Sequence, residues 1–217
     1  MVGERCGSVF TNIEEVRKEI STSIFIPVGI NTDFYSSAEK SIDGKLHLTF
    51  AAHRAVRKGF PLLTQVFNQL DDQFHLNIIG DWQNDLHLLT NTNYSFYGAL
   101  PPERLKQVYE HSHVFIYTGT QDRYALDGFP TTAAADAMST GCLLVSTNPR
   151  RDRFTLEAGI DFLEIDANVP SIMDTLNWIT ENRPQAMEIA KKGSASIRHH
   201  FDCKTVVKNK LSHIFSP

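Results

Sequence analysis

The sequence holds few cysteines, no long apolar run and no surplus of positive charge, and each shortage removes a class of protein. Cys6, Cys142 and Cys203 are odd in number, far apart and without a C-x-x-C pair. They read as reduced thiols of a cytosolic protein, not as a disulfide framework. No stretch reads as a signal peptide or as an apolar segment able to span a bilayer, which leaves peripheral attachment to the inner face of a membrane open. Lys and Arg number 21 against 25 Asp and Glu, a formal net charge of -4; a general nucleic-acid binder needs the opposite balance. A G-x-S-x-G elbow, a Walker loop, a G-x-G-x-x-G turn and a D-x-D pair are all missing, which argues against the commonest hydrolase, NTPase and dinucleotide folds. The "HSH" at 111–113 has no third ligand at hand, and no metal site is assigned.

What is present is an ordinary globular composition, 41% hydrophobic over 217 residues, enough for one large or two small domains. Apolar runs at 23–28, 45–52, 74–80, 94–100, 113–119, 142–147 and 161–166 read as strands. Between them Pro61 to Leu70, Pro102 to Ser112, Thr131 to Thr140 and Arg151 to Ala158 read as amphipathic helices. Leu105, Val108 and Tyr109 fall on one helical face. Alternation of this kind predicts a doubly wound, Rossmann-like parallel α/β sheet with helices on both faces. The segment from Val169 onward predicts a helical tail, divided at Pro184 and at "HHFD". The expected organisation is a lead-in over 1–22 with room for a linker helix, an α/β domain over 23–183, and closing helices over 184–217.

Ligands in such sheets sit where strand ends feed helix starts, and three junctions stand out. In "TFAAHRAVRKGF", His53, Arg54, Arg57 and Lys58 crowd a loop that Gly59 turns into a helix. This is an anion site at a helix entrance or a solvated basic loop. In "DGFPTTAAADAMSTG", Thr131 or Thr132 can cap a helix whose alanines leave room against its end. Asp127 can accept hydrogen bonds from a polyol, as can Asp136 if its face turns to the cleft; a plain buried helix is the competing reading. "FYGALPPERL" can offer the backbone of Leu100 to a planar base, or is an ordinary turn.

In order, these segments resemble the C-terminal, donor-binding half of a GT-B glycosyltransferase, of the retaining group 1 type that builds polysaccharides and glycolipids. "FIPVGINTDFY" resembles the family's I-P-N-G-V-D entry, with Val28 in place of Asn. "AAHRAVRKGF" resembles its G-R-x-x-x-K-G loop, and "LNIIGDW", with Gly80, its strand ending in G-D/E-G. "FYGALPPERLKQVYEHSHVFIYTG" is similar to the segment that reads the base. "DGFPTTAAADAMSTGCLLVST" is similar to the E-x7-E motif and the core strand after it. The resemblance implies that Lys58 grips the donor diphosphate and that His53 stands where an arginine is usual, with Arg54 next door to supply charge. It implies that Asp127 contacts the transferred sugar and Asp136 the ribose, both Asp where Glu is usual and one residue further apart. Gly128, Phe129 and Pro130 lead to the N–H groups of Thr131 and Thr132, which would hold the distal phosphate.

What the resemblance implies for function is transfer from a nucleotide-diphosphate sugar, UDP- or GDP-linked, with no metal or other cofactor. The acceptor would be a glycan or lipid-linked molecule bound by an N-terminal half that this sequence does not contain, so donor binding without turnover is expected. Nucleic acid is not an expected partner; a cytoplasmic, possibly membrane-peripheral location is. Two other readings stay open. One is a non-catalytic nucleotide-binding or assembly module, favoured by His53 and the altered acidic spacing. The other is a sugar-nucleotide 2-epimerase half.

Overall fold

The computed structural model describes residues 9–41, 43–120, 127–152 and 156–215. The chain enters through strand β1 (Val9–Thr11), helix α1 (Glu14–Glu19) and strand β2 (Ser23–Phe25). β1 and β2 pair in parallel as a two-stranded sheet of their own. The expected strand over 23–28 is therefore short and stands outside the main sheet; Pro27, with no N–H to donate, follows close behind it. The lead-in holds a strand as well as a helix, and Cys6 lies outside the described residues.

The main sheet is built from β3 (Leu46–Ala51), β4 (Phe74–Ile79), β5 (Tyr94–Gly98), β6 (Val114–Tyr117), β7 (Leu143–Ser146) and β8 (Leu163–Glu164). All six run parallel in the order β5-β4-β3-β6-β7-β8. The chain steps outward in one direction from β3 and in the other from β6, so the winding reverses between these two strands. That is the doubly wound arrangement, and its switch point is where a crevice opens beyond the strand ends. Period-2 alternation separates two cores. Leu46, Leu48, Phe50, Val114, Ile116, Leu143 and Val145 face one way. Ala51, Ile79, Phe115, Tyr117 and Leu144 face the other.

Helices α2 (Phe60–Phe67), α5 (Val169–Glu181) and part of α6 (Arg183–His200) cover the first face. α3 (Pro102–His111) and α4 (Thr132–Ser139) cover the second, joined by Ile197 at the far end of α6. α4 packs Ala134, Ala135, Ala137 and Met138 into the core, and Gly141 at φ 92° ends it. α7 (Cys203–Phe215) closes the chain. The tail breaks at Asn182, two residues ahead of the expected corner at Pro184, because Pro184 sits in the first turn of α6, where a missing N–H costs nothing.

Among the described residues of 151–158 the expected helix is not seen. Arg151, Asp152, Leu156 and Glu157 take no helical turn, and Ala158 forms an isolated bridge to Phe162; 153–155 lie outside the described residues. Arg151 sits at φ 53°. The Asn148 amide grips Asp152 in both directions, donating to its carbonyl at 2.9 Å and accepting from its N–H at 3.0 Å. A side chain that satisfies the backbone in this way competes with a helix. No helix among the described residues is long and apolar enough to cross a membrane.

Candidate functional site

A cavity of about 650 Å³ lies over the switch point, a volume within the range of small-molecule sites. Its walls come from the exits of four strands. Ala51 ends β3, with Ala52, His53 and Lys58 after it; Ile79 ends β4, with Gly80 and Asp81 after it; Ala99 and Leu100 follow β5; Tyr117 ends β6, with Asp127, Gly128 and Pro130 leading on to Thr131 and Thr132 at the start of α4. Asn12 and Ile13 of the lead-in complete the rim.

The loop after β3 is a 3-10 turn, Val56–Lys58, ended by Gly59 at φ 83°. A Cβ on Gly59 would lie 1.9 Å from the Thr118 carbonyl oxygen, so only glycine lets this loop touch the end of β6. Two bonds lock the contact: the Thr118 hydroxyl donates to the Gly59 carbonyl at 2.8 Å, and the Thr120 N–H to the Arg57 carbonyl at 2.8 Å. Gly80 makes the equivalent approach on the other side. It sits at φ 117°, with the Ala52 carbonyl where a side chain would stand.

Lys58 is 6% exposed, and its ammonium donates to Asp127 Oδ2 at 2.9 Å. Arg57 pairs with the same oxygen, and the Tyr117 hydroxyl donates to it at 3.5 Å. Burial alone would raise the Asp127 pKa. The Lys58 hydrogen bond and the charges of Lys58 and Arg57 outweigh that and hold it below the ordinary value. The same carboxylate, after burial, pushes the Tyr117 hydroxyl well above its ordinary value. Opposite, Thr131 caps α4, its side chain accepting from the Ala134 N–H at 3.3 Å, so the first-turn N–H groups of α4 and the Lys58 ammonium face one hollow. Cations and a helix N-terminus around one space form a site for a polyanion.

The predicted residues divide as follows. His53, Lys58, Gly80, Leu100, Asp127, Gly128, Pro130, Thr131 and Thr132 line the cavity. Phe129 lines a small adjoining hollow and packs on Phe162, ring centres 5.0 Å apart. Gly59 stands behind Lys58, as the close contact that fixes the loop against Thr118. Arg54 lies outside: its guanidinium pairs with Asp85 at 2.6 Å and its N–H with the Asp81 carboxylate. Arg57, not Arg54, is the cation that shares Asp127 with Lys58, because Asp85 draws Arg54 away. Asp136 is not on the cavity wall but one turn along α4 from Thr132, half-buried beside Tyr35. Burial raises its pKa to about 7, and the Tyr35 hydrogen bond offsets only part of that.

Sequence reasoning missed Tyr109 and Asn12. Tyr109 counted only as an apolar helix position, yet it lines the cavity with a buried hydroxyl that has no hydrogen-bond partner among the described residues. Asn12 reaches over from the lead-in, and its side-chain amide stands 2.5 Å from where a Cβ of Gly128 would be. Nothing in the sequence signals that pairing. Among the described residues no group of three or more His, Cys, Asp or Glu is placed to hold a metal ion.

A Rossmann-like parallel sheet with its cavity at the switch point defines the class; the comparisons give the family. The group 1 glycosyl transferase model matches residues 32–196, and the chain belongs to that family. No curated protein matches the chain in sequence. In fold it is similar to Anabaena HepE, solved with UDP and glucose, at a TM-score of 0.80 and 15% identity over 98% of this chain and 64% of that one. It is also similar to sucrose-phosphate synthase of Thermosynechococcus elongatus, at 0.74 and 16% over 96% and 58%. The C-terminal domain of the group 1 protein LpcC from Francisella tularensis matches at 0.64 and 14%, over 80% of this chain and 99% of that domain. The chain thus spans less than two thirds of the first two relatives, and its fold is that of the C-terminal half of a GT-B glycosyltransferase.

Proposed function

We propose that this chain binds the donor of a retaining glycosyltransferase, a nucleotide-diphosphate sugar, for transfer to a glycan or lipid-linked acceptor in polysaccharide or glycolipid synthesis. The convergence of Lys58 and the capped start of α4 on one cavity, with Arg57 paired to the same Asp127 oxygen that holds Lys58, carries this reading. HepE, of similar fold, has been solved with UDP-glucose, which makes a UDP-sugar the first donor to test.

When the bond from the anomeric carbon to the distal phosphate oxygen breaks, its electron pair stays on the diphosphate. The Lys58 ammonium and the N–H groups of Thr131 and Thr132 then stabilise the growing negative charge without reorganising. Asp127, ionised at neutral pH, holds Lys58 and Arg57 in place before the donor arrives and faces the sugar hydroxyls afterwards. Retention follows if the departing phosphate takes the acceptor's proton on the same face, a step that needs no base from this chain. Protein cations supply the countercharge, so a chelator should leave donor binding unchanged. The acceptor is expected on a further α/β half across the cavity, and peripheral membrane attachment would belong there too; this chain alone then binds without transferring.

Calorimetric titration with UDP-, GDP- and ADP-sugars tests the reading. Saturable binding of one of them, lost in Lys58→Ala, supports it. Silence toward all three would replace it with the non-catalytic module.

A further inference from the structure

We propose that the sheet face beneath α3 carries a second binding site, distinct from the donor cavity, for a small anion of the carboxylate or phosphate class. Parallel sheets are covered on both faces and their strands are apolar on both. β3, β4 and β5 obey this on one face only. On the other, His47 stands in register with His75, Thr49 with Asn77, and Asn77 with Ser95. Only at the strand ends, with Ala51 and Ile79, does that face turn apolar and become the floor of the donor cavity. A fold rule broken at one place without a packing gain points to function.

The polar stretch is not sealed. A groove of about 330 Å³ opens there, with His47, His75, Asn77 and Tyr97 on the sheet and Arg104 and His111 on α3. α3 straddles both hollows, since Leu105 and Tyr109 line the donor cavity and Leu100 lines both. His75 and His111 each bond one neighbour, Ser95 at 3.0 Å and the Gln107 carbonyl at 2.8 Å, but three other groups in the groove are under-used. The His47 ring makes no hydrogen bond to a described residue. Asn77 is 4% exposed, and its amide makes only long contacts, at 3.4 Å to Thr49, 3.5 Å to Ser112 and 3.4 Å from Tyr97. Among the described residues the Arg104 guanidinium bonds only Gln107 Oε1, at 3.1 Å.

The charge balance selects the sign of the ligand. No carboxylate lines the groove. Burial first, and nearby basic groups after it, lower the pKa of His47, His75 and His113, so these rings are neutral at neutral pH and Arg104 carries the charge that lines the groove. A guanidinium fork beside imidazole and amide donors matches a carboxylate or phosphate. A cation is a poor fit, since no set of ligands there is placed to hold a metal.

Histidine ring resonances, followed by NMR in the full chain, test this. Sodium phosphate and sodium citrate are titrated separately against sodium chloride at matched ionic strength. At least one anion should shift the His47 and His75 signals saturably, and the anion that does so names the class. Arg104→Gln, an exposed substitution checked by its melting temperature, should weaken binding about tenfold, the loss of one charge-assisted bond; His75→Gln is the second variant. Lys58→Ala, which empties the donor cavity of its cation, should change nothing, so this site stands or falls apart from the donor reading. No saturable shift with either anion, an undiminished response in both groove variants, or a response lost in Lys58→Ala would overturn it.

Discussion

The Tyr109 hydroxyl is buried at the wall of a cavity with no described residue to bond. An orphaned buried hydroxyl costs roughly 1–3 kcal/mol, and burial and the nearby Asp136 charge hold it firmly protonated, hence a donor. Tyr109→Phe removes that oxygen and keeps the ring, so the melting temperature of the free chain should hold or rise. If a nucleotide completes the bond, its affinity should fall about five- to tenfold. A lower melting temperature with unchanged affinity would assign the hydroxyl to the fold instead. Asp136 gives a second signature. The folded chain keeps this proton up to about pH 7, while the unfolded chain releases it near the ordinary 3.8. Stability from this group is therefore full below that lower value and falls as pH rises toward 7, by at most about 1.4 kcal/mol per unit. Asp136→Asn cannot ionise and should flatten this slope, read as urea midpoints from about pH 4 to about pH 8.

Among the elements, the β3–α2 loop binds the site to the sheet through one glycine. Gly59→Ala forces a left-handed backbone on alanine and drives its Cβ into the Thr118 carbonyl. A loss of at least about 3 kcal/mol is expected, against about 1 kcal/mol for Gly44→Ala, which shares the positive φ but meets open space. Equal losses in urea unfolding would refute the contact. The periods that predict elements survive where a face is long enough to show them. Six-residue β3 and β4 and ten-residue α3 were legible for that reason. Three-residue β1 and β2 display no period, and their pairing depends on distant partners. The stretch from Arg151 looked helical because its pattern fits. What decides against a helix is the Asn148 side chain, a competitor that no pattern of apolar residues reveals. The site divides the same way. Lys58 and Thr131 were readable from their places at strand-to-helix junctions. The choice of Arg57 over Arg54 was not, since it turns on which acid waits for each, Asp127 or Asp85, and both come from elsewhere in the chain.

At the scale of the molecule, the cavity gathers the exits of β3, β4, β5 and β6 together with Asn12 and Ile13 of the lead-in. Segments from the two arms of the sheet, joined along the β3–β6 pairing, both contribute to its wall. A ligand in that hollow bridges both arms and has no counterpart site in the unfolded chain. Its binding energy should therefore appear as stability of the whole. A nucleotide sugar at a hundred times its Kd adds about 2.7 kcal/mol, which for a chain of this length raises the melting temperature by roughly 5–10 °C. The shift should grow with the logarithm of ligand concentration, vanish in Lys58→Ala and persist in Arg54→Ala, whose guanidinium faces Asp85 outside the cavity. A melting temperature indifferent to UDP-, GDP- and ADP-sugars at millimolar concentration, or a shift that Arg54→Ala abolishes as fully as Lys58→Ala, would mean that the hollow over the switch point is not where the donor diphosphate rests.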